Sequence, residues 1–283
     1  MSLSDVKIAG TVILYHPPDN FISNINSYIQ FIEVLYVLDN SEKTNPSVAQ
    51  KLAEIPKVVY LANQQNLGIA TALNIGAEKA ITEGYHWLLT MDQDSRFTDD
   101  TFFHCFQYII DLPSVAIISP YHFDISPLNH KELYEYIEPD IVMTSGNFLN
   151  LSIYKKIGGF EDKLFIDEVD HDYCLKARMN GYKIIMFCNI RLEHELGIYK
   201  EISWKGKKEM ISVHSARRVY YLTRNNFYLL KKYHRYYPQL MRSRLKNFLV
   251  LCRNIILFED DKLPKMVEIM RGSIDFLRGK YGK

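Results

Sequence analysis

Between Lys7 and Ser119 short apolar runs alternate with helical stretches, and four polar clusters follow the runs. Lys7–Tyr15 reads as a buried strand stopped by His16-Pro17-Pro18, and Glu33–Leu38 as a second ending in Asp39-Asn40-Ser41. Lys57–Leu61, His86–Met91 and Val115–Ser119 are three more. The intervening segments have helical spacing. Asn20–Phe31 carries Phe21, Ile25, Tyr28 and Ile29; a short helix follows Pro46; Leu67–Glu83 is stopped by Gly84; Thr98–Asp111 has Thr98 as its expected cap. Such alternation with short connections predicts an α/β fold with a mostly parallel sheet flanked by helices. Ligands bind such sheets beyond the carboxyl ends of the strands, where Tyr15-His16, Asp39-Asn40, Gln65-Asn66 and Asp92–Asp94 fall.

The middle, about 121–166, is less regular, with a strand expected at Met143–Asn150 and a turn at Gly158-Gly159-Phe160. Val169–Asn180 reads as a helix closed by Gly181, and Tyr182–Cys188 as a strand. Three helices are expected near 215–235, 238–258 and 262–280. Of the 283 residues, 47% are hydrophobic and 24% charged, which suits a globular chain and excludes disorder. Four scattered cysteines (Cys105, Cys174, Cys188, Cys252) form no C-x-x-C pair, so neither a disulfide framework nor a structural zinc is expected, and a reducing cytoplasm fits. The first residues show no secretory pattern, and the apolar segment Asn247–Phe258 is too short to span a membrane.

The net charge of +1 conceals a division. Residues 1–199 hold 14 Lys/Arg against 26 Asp/Glu, or −12; residues 200–283 hold 20 against 7, or +13. No nucleic-acid motif accompanies the basic part, so nucleic acid is not an expected partner; contact with the inner face of an anionic membrane is one reading of it, and pairing with the acidic body or an entrance for a phosphorylated acceptor are the others.

Trp87-Leu-Leu-Thr-Met-Asp92-Gln-Asp94 is the strongest chemical signal. Carboxylates two residues apart on an extended chain point the same way and repel unless a cation lies between them. Oxygen ligands suit a hard divalent ion that also grips phosphates, Mg²⁺ or Mn²⁺. An acidic turn without metal is the competing explanation. The small residues of Asn66-Leu-Gly68-Ile-Ala70-Thr-Ala72-Leu-Asn74-Ile-Gly76 are explained by close helix–sheet packing, with Asn66 left as a ligand candidate. Asp167, Glu168, Asp170 and Asp172 crowd one helix start. The helix dipole accounts for some of them, and one with a raised pKa suits a general base.

Taken in order, these stretches resemble the inverting family 2 glycosyltransferases of the GT-A (nucleotide-diphospho-sugar transferase) fold, especially bacterial rhamnosyltransferase-like members that build surface polysaccharide. The resemblance spans about residues 7–226 and also takes in Ser145-Gly146-Asn147, Phe165–Asp170, His194–Gly197 and Tyr220–Asn226. It implies a catalytic domain over 1–211, with a nucleotide-sugar half to about 120 and an acceptor half over about 121–211. A basic helical extension would follow at 212–283.

The resemblance further implies donor binding by Tyr15, His16, Asp39 (on the nucleobase), Asn66, Gly68 and Asp92, and an acceptor side at Ser145, Gly146, Asn147 and Asp167. Metal ligation would fall to Asp94, Asp92 and His194, and the catalytic base would be Asp170. Val169 stands where the family has Glu, which leaves Asp167, Glu168 and Asp172 as rivals to Asp170. The implied donor is a dTDP- or UDP-linked sugar and the acceptor a glycan or lipid-linked hydroxyl, with self-association left open. A nucleotidyltransferase, or a non-catalytic binder of sugar nucleotides on the same fold, is the alternative; against the former, Tyr15-His16-Pro17-Pro18-Asp19 lacks a Gly-rich basic loop.

Overall fold

The structure, a computed structural model, describes residues 6–109, 114–122, 135–194, 197–204 and 206–283. Asp111, Glu195, Leu196, Lys205, the N-terminal five residues and 123–134 of the middle stretch lie outside the described residues. The chain forms two compact units, 1–162 with 169–195, and 163–168 with 196–283.

The first unit is built on β1 (Ile8–Leu14), β2 (Val34–Asp39), β3 (Val58–Ala62), β4 (Trp87–Asp92), β5 (Ser95–Phe97), β6 (Val115–His122), β7 (Tyr136–Ile137), β8 (Asn147–Asn150) and β9 (Lys183–His194). The sheet order is β3-β2-β1-β4-β8-β6-β9-β5, with β7 also on β9. β3, β2, β1 and β4 are mutually parallel, as are β6 and β9; β8 runs antiparallel between β4 and β6, and β5 and β7 antiparallel to β9. Strands covered on both faces are apolar throughout, which is why β1, β2 and β4 were legible as unbroken runs.

Around the sheet lie α1 (Phe21–Asn26), α2 (Pro46–Ala53), α3 (Ile69–Thr82), α4 (Thr101–Ile109), α5 (Leu151–Ile157) and α6 (Val169–Met179). On α3, Ala70, Ala72, Ala77 and Ala80 are buried, and a Cβ at Gly76 would lie 2.4 Å from Thr11 Oγ1 on β1. The small residues therefore serve close approach to the sheet. Asn45 caps α2 and Asn150 caps α5 through their side chains.

The helix expected over Asn20–Phe31 is shorter: α1 ends at Asn26 and a separate 3-10 turn covers Ile29–Phe31. Ser23 and Ser27 turn their hydroxyls onto the carbonyls of Asn20 and Asn24, which competes with helical continuation. Asp99, rather than Thr98, accepts the Thr101 amide at the start of α4. β6 and β9 run beyond the expected strands, to His122 and His194. β8 begins at Asn147, four residues after the expected Met143.

The second unit contains a hairpin, β10 (Tyr199–Trp204) and β11 (Lys207–Ser212), which the charged sequence did not announce. It continues with α7 (Ala216–Tyr233), α8 (Pro238–Phe258) and α9 (Lys262–Leu277), close to the three expected helices. Gly272 lets α9 approach α7: a Cβ there would lie 2.7 Å from the Tyr220 carbonyl oxygen. The Tyr220 hydroxyl donates to Asp275 at 2.8 Å. Lys265 is buried against Glu259 and Asp261.

Candidate active site

Strand register assembles the polar rim of the first unit. Leu14 lies opposite Asp39 and Ile13 opposite Asp92, so one strand separates the two carboxylate positions, about 10 Å at ordinary strand spacing. Tyr15 and His16 leave β1 between them. Gln93, the residue between the paired acids, accepts the Tyr15 amide at 2.9 Å and donates to the Tyr15 carbonyl at 3.3 Å. His16 has φ +47, and its amide donates to Ser41 Oγ. The Tyr15 hydroxyl and the His16 ring both reach Glu42. Hydrogen bonds from its own backbone amide, then from Tyr15 and His16, hold the Glu42 carboxyl below the usual range.

Asp39 is buried at the end of β2. Its Oδ2 accepts the Tyr60 hydroxyl at 2.6 Å and its Oδ1 the Ser41 amide at 2.9 Å. Burial, then the bond to Asp39, hold the Tyr60 phenol above its ordinary pKa. Next to it, Asn40 donates to the Gly68 carbonyl and accepts from Asn63. Asn66 Oδ1 accepts the Gly68 amide, closing the turn into α3. Gly68 has φ +85, where a side chain is strained.

Asp92, Asp94 and His194 each present a ligand atom within 4.8 Å of the others. His194 comes from 100 residues further along, and pairing of β5 with β9 sets Ser95 opposite it. The neighbouring cross-strand pair Arg96–Glu193 is bonded at 2.6 Å. His194 Nδ1 lies 2.8 Å from Ser95 Oγ and 3.2 Å from Asp94 Oδ1. Asp94 Oδ1 is buried and that approach falls outside hydrogen-bond geometry. A buried carboxylate oxygen without a hydrogen-bond donor, beside a second carboxylate and an imidazole, is a donor set that fits Mn²⁺ or Mg²⁺. Near Asp92, burial and then the Asp92 charge keep the Tyr28 phenol well above its ordinary pKa.

Ser145, Gly146 and Asn147 sit behind the acidic pair. Ser145 Oγ accepts the Asp92 amide at 3.0 Å, and the Gly146 amide donates to the Thr90 carbonyl at 2.7 Å. The Asn147 side chain donates to the Met143 carbonyl. His122 bonds the Ser145 carbonyl at 2.8 Å. Ser145 and Asn147 are buried, so they hold the D-x-D strand end from inside.

Asp170 and Asp172 occupy the first turn of α6. Asp170 is half-buried, and its Oδ1 accepts the His171 amide; Asp172 is fully buried. Asp167 and Glu168 belong to the second unit, where Arg218 bonds Asp167 at 3.1 Å and Arg244 bonds Glu168 at 2.5 Å. Phe165, Asp167 and Glu168 all have positive φ. The Asn225 amide donates to the carbonyls of Leu164, Ile166 and Asp167, and the buried Arg224 guanidinium to those of Lys163 and Leu164. Lys176 donates to the Gly159 carbonyl.

Sequence reasoning passed over Gln93, Ser95, Glu42, Tyr60 and His122. Of these only Gln93 and Ser95 carried a local signal, being inside the D-x-D stretch. The others meet the site through strand pairing or loop packing.

The family model described as Glycosyl transferase family 2 matches residues 19–184. The chain is 28% identical, over 98% of its length and 97% of the relative's, to the dTDP-rhamnosyl transferase RfbF of Shigella flexneri. Its fold is similar to that of S. aureus TarS 1-349 in complex with UDP-GlcNAc, with a TM-score of 0.63, 12% identity, and coverage of 96% of this chain and 81% of that one. A second similar fold is the mannosyltransferase PcManGT of Pyrobaculum calidifontis in complex with GDP-Man and Mn²⁺, with a TM-score of 0.58, 14% identity, and coverage of 97% and 88%.

Proposed function

Because this chain belongs to glycosyl transferase family 2, we propose that it moves a deoxyhexose, rhamnose, from a dTDP- or UDP-linked donor to a hydroxyl of a glycan or lipid-linked acceptor, with inversion at the anomeric carbon. The observation that carries this reading is the Asp92, Asp94 and His194 cluster at the end of β4. Near-full-length similarity to a dTDP-rhamnosyl transferase supports the choice of sugar. The PcManGT complex holds Mn²⁺ with its nucleotide sugar, which supports a divalent ion here.

In this reading residues 1–120 grip the nucleotide, about 121–211 take the acceptor, and 212–283 form the extension. Asp39 accepts the N3–H of thymine or uracil, a donor that adenine and cytosine lack; Tyr60 and Ser41 already orient its carboxylate. Tyr15, His16, Asn66 and Gly68 line the nucleotide beside it. Asp94, Asp92 and His194 would hold the cation. A bound divalent ion supplies Lewis-acid stabilisation of charge on the departing diphosphate. Asp170 takes the acceptor proton as the acceptor oxygen attacks. Its half-exposure favours it over Asp172, which is sealed, and over Asp167 and Glu168, which arginines neutralise. Ser145, Gly146 and Asn147 would serve the acceptor side indirectly, by supporting the Asp92 strand end, and Asp167 would be a separate acceptor contact.

A screen of nucleotide sugars, reading release of nucleoside diphosphate with and without Mn²⁺, tests the reading. dTDP-rhamnose plus metal is expected to turn over. Equal rates in EDTA would remove the metal, and no turnover of any dTDP or UDP donor would remove the donor assignment.

A further inference from the structure

α8 and α9 each carry a narrow apolar stripe that faces solvent. On α9 it comprises Leu263, Met266, Val267, Met270, Ile274 and Leu277, each 40–80% exposed. At 3.6 residues per turn these fall within an arc of roughly 100°. The opposite side of α9 is occupied: Lys265, Gly272 and Asp275 are buried, Asp275 and Gly272 against Tyr220. Packing on α7 therefore does not explain the stripe. On α8, Leu245, Leu249 and Ile256 make a similar exposed row. Exposed Arg242 and Lys246 flank it, and α8 contains no acidic residue. Exposed Arg271 and Arg278 flank the α9 stripe on one side.

We infer that these faces of α8 and α9 lie in the interface of an anionic lipid bilayer, the apolar stripes among the upper acyl chains and the flanking cations among the headgroups. Large exposed apolar rows bordered by Lys and Arg are what an in-plane helix presents to a membrane. No helix among the described residues is long and apolar enough to cross one. Charge decides between a bilayer and a second copy of the chain. Residues 200–283 carry 20 cations against 7 acids, so two copies would bring like charges together, whereas an anionic surface attracts them.

The inference does not depend on the donor chemistry, because its test involves no donor. The full chain is sedimented with vesicles of phosphatidylglycerol in phosphatidylcholine and with phosphatidylcholine alone, at low and high salt. Binding is expected to the anionic vesicles only, and to weaken with salt. Arg242→Gln with Lys246→Gln is expected to weaken it roughly thirtyfold. Leu263→Ser with Leu277→Ser is expected to weaken it about tenfold or more. All four side chains are exposed, and unchanged thermal melting checks that the variants fold. No binding at low salt overturns the inference, as does binding that both variants leave intact. A concentration-dependent dimer abolished by the leucine pair, without vesicle binding, assigns the face to a second copy.

Discussion

Asp94 and His194 illustrate what a single residue shows at each stage. The spacing of the acid from Asp92 suggests a cation on an extended chain, with an acidic turn as the competing explanation; β4 in fact ends at Asp92, and Asp94 lies in the turn before β5. The histidine stands 100 positions away and acquires its place from the β5–β9 register. Asp94→Ala is expected to abolish turnover and Mn²⁺ binding, the latter read by calorimetry, without lowering the melting temperature. His194→Ala is expected to weaken Mn²⁺ by at least about 10-fold, the loss that even a residue supporting a ligand causes; unchanged affinity would exclude it as a ligand. Asp170→Asn should lower turnover about 10²–10⁴-fold with nucleoside diphosphate affinity retained. Asp172→Asn should act on stability instead, because that side chain is fully buried. An active Asp170→Asn beside an inactive, well-folded Asp172→Asn would transfer the role of base.

Elements are positioned here by a few backbone exceptions. Gly146 has φ +77, and a Cβ there would meet Pro120 at 2.8 Å and Leu192 at 2.9 Å. Gly146→Ala is therefore expected to cost about 2–4 kcal/mol in urea unfolding, and to disturb Ser145 beneath Asp92. Gly84 has φ +79 with open space around it, so Gly84→Ala should cost only about 1 kcal/mol; equal costs would mean that packing at Gly146 is slack. In the second unit, the two amide hydrogens of Asn225 serve three carbonyls of a segment with three positive-φ side-chain-bearing residues. Asn225→Ala should open that segment to proteolysis between Lys163 and Glu168. The long helices α3, α6 and α7–α9 were readable from their stripes and stops, whereas α5, the cap of α4, β5, β7 and the β10–β11 hairpin were not: short or charged elements carry too little periodicity to separate them from loop.

Stability of the whole molecule should depend on pH through His214. Burial, then the charges of Arg218 and Lys265, lower its imidazole from 6.5 to about 4. The unfolded chain takes up this proton first as pH falls, so the contribution is complete above about 6.5 and is lost between there and about 4. Allowing for a half-buried ring, the loss is on the order of 1–2 kcal/mol. His214→Gln is expected to flatten that part of a stability-against-pH curve; an unchanged acid limb would place the dependence on other groups. The charge division along the chain, the alternating fold and the Asp92–Asp94 pair were determined by sequence alone, because each depends on composition or on neighbours within one element. The resemblance had already named His194 beside that pair, but the register that brings it there, and the burial of Asp172 beside a half-open Asp170, were decided only in three dimensions. So was the neutralising of Asp167 and Glu168 by arginines 51 and 76 positions on. These depend on strand register and helix packing, which bring together residues whose separation along the chain holds no trace of their contact.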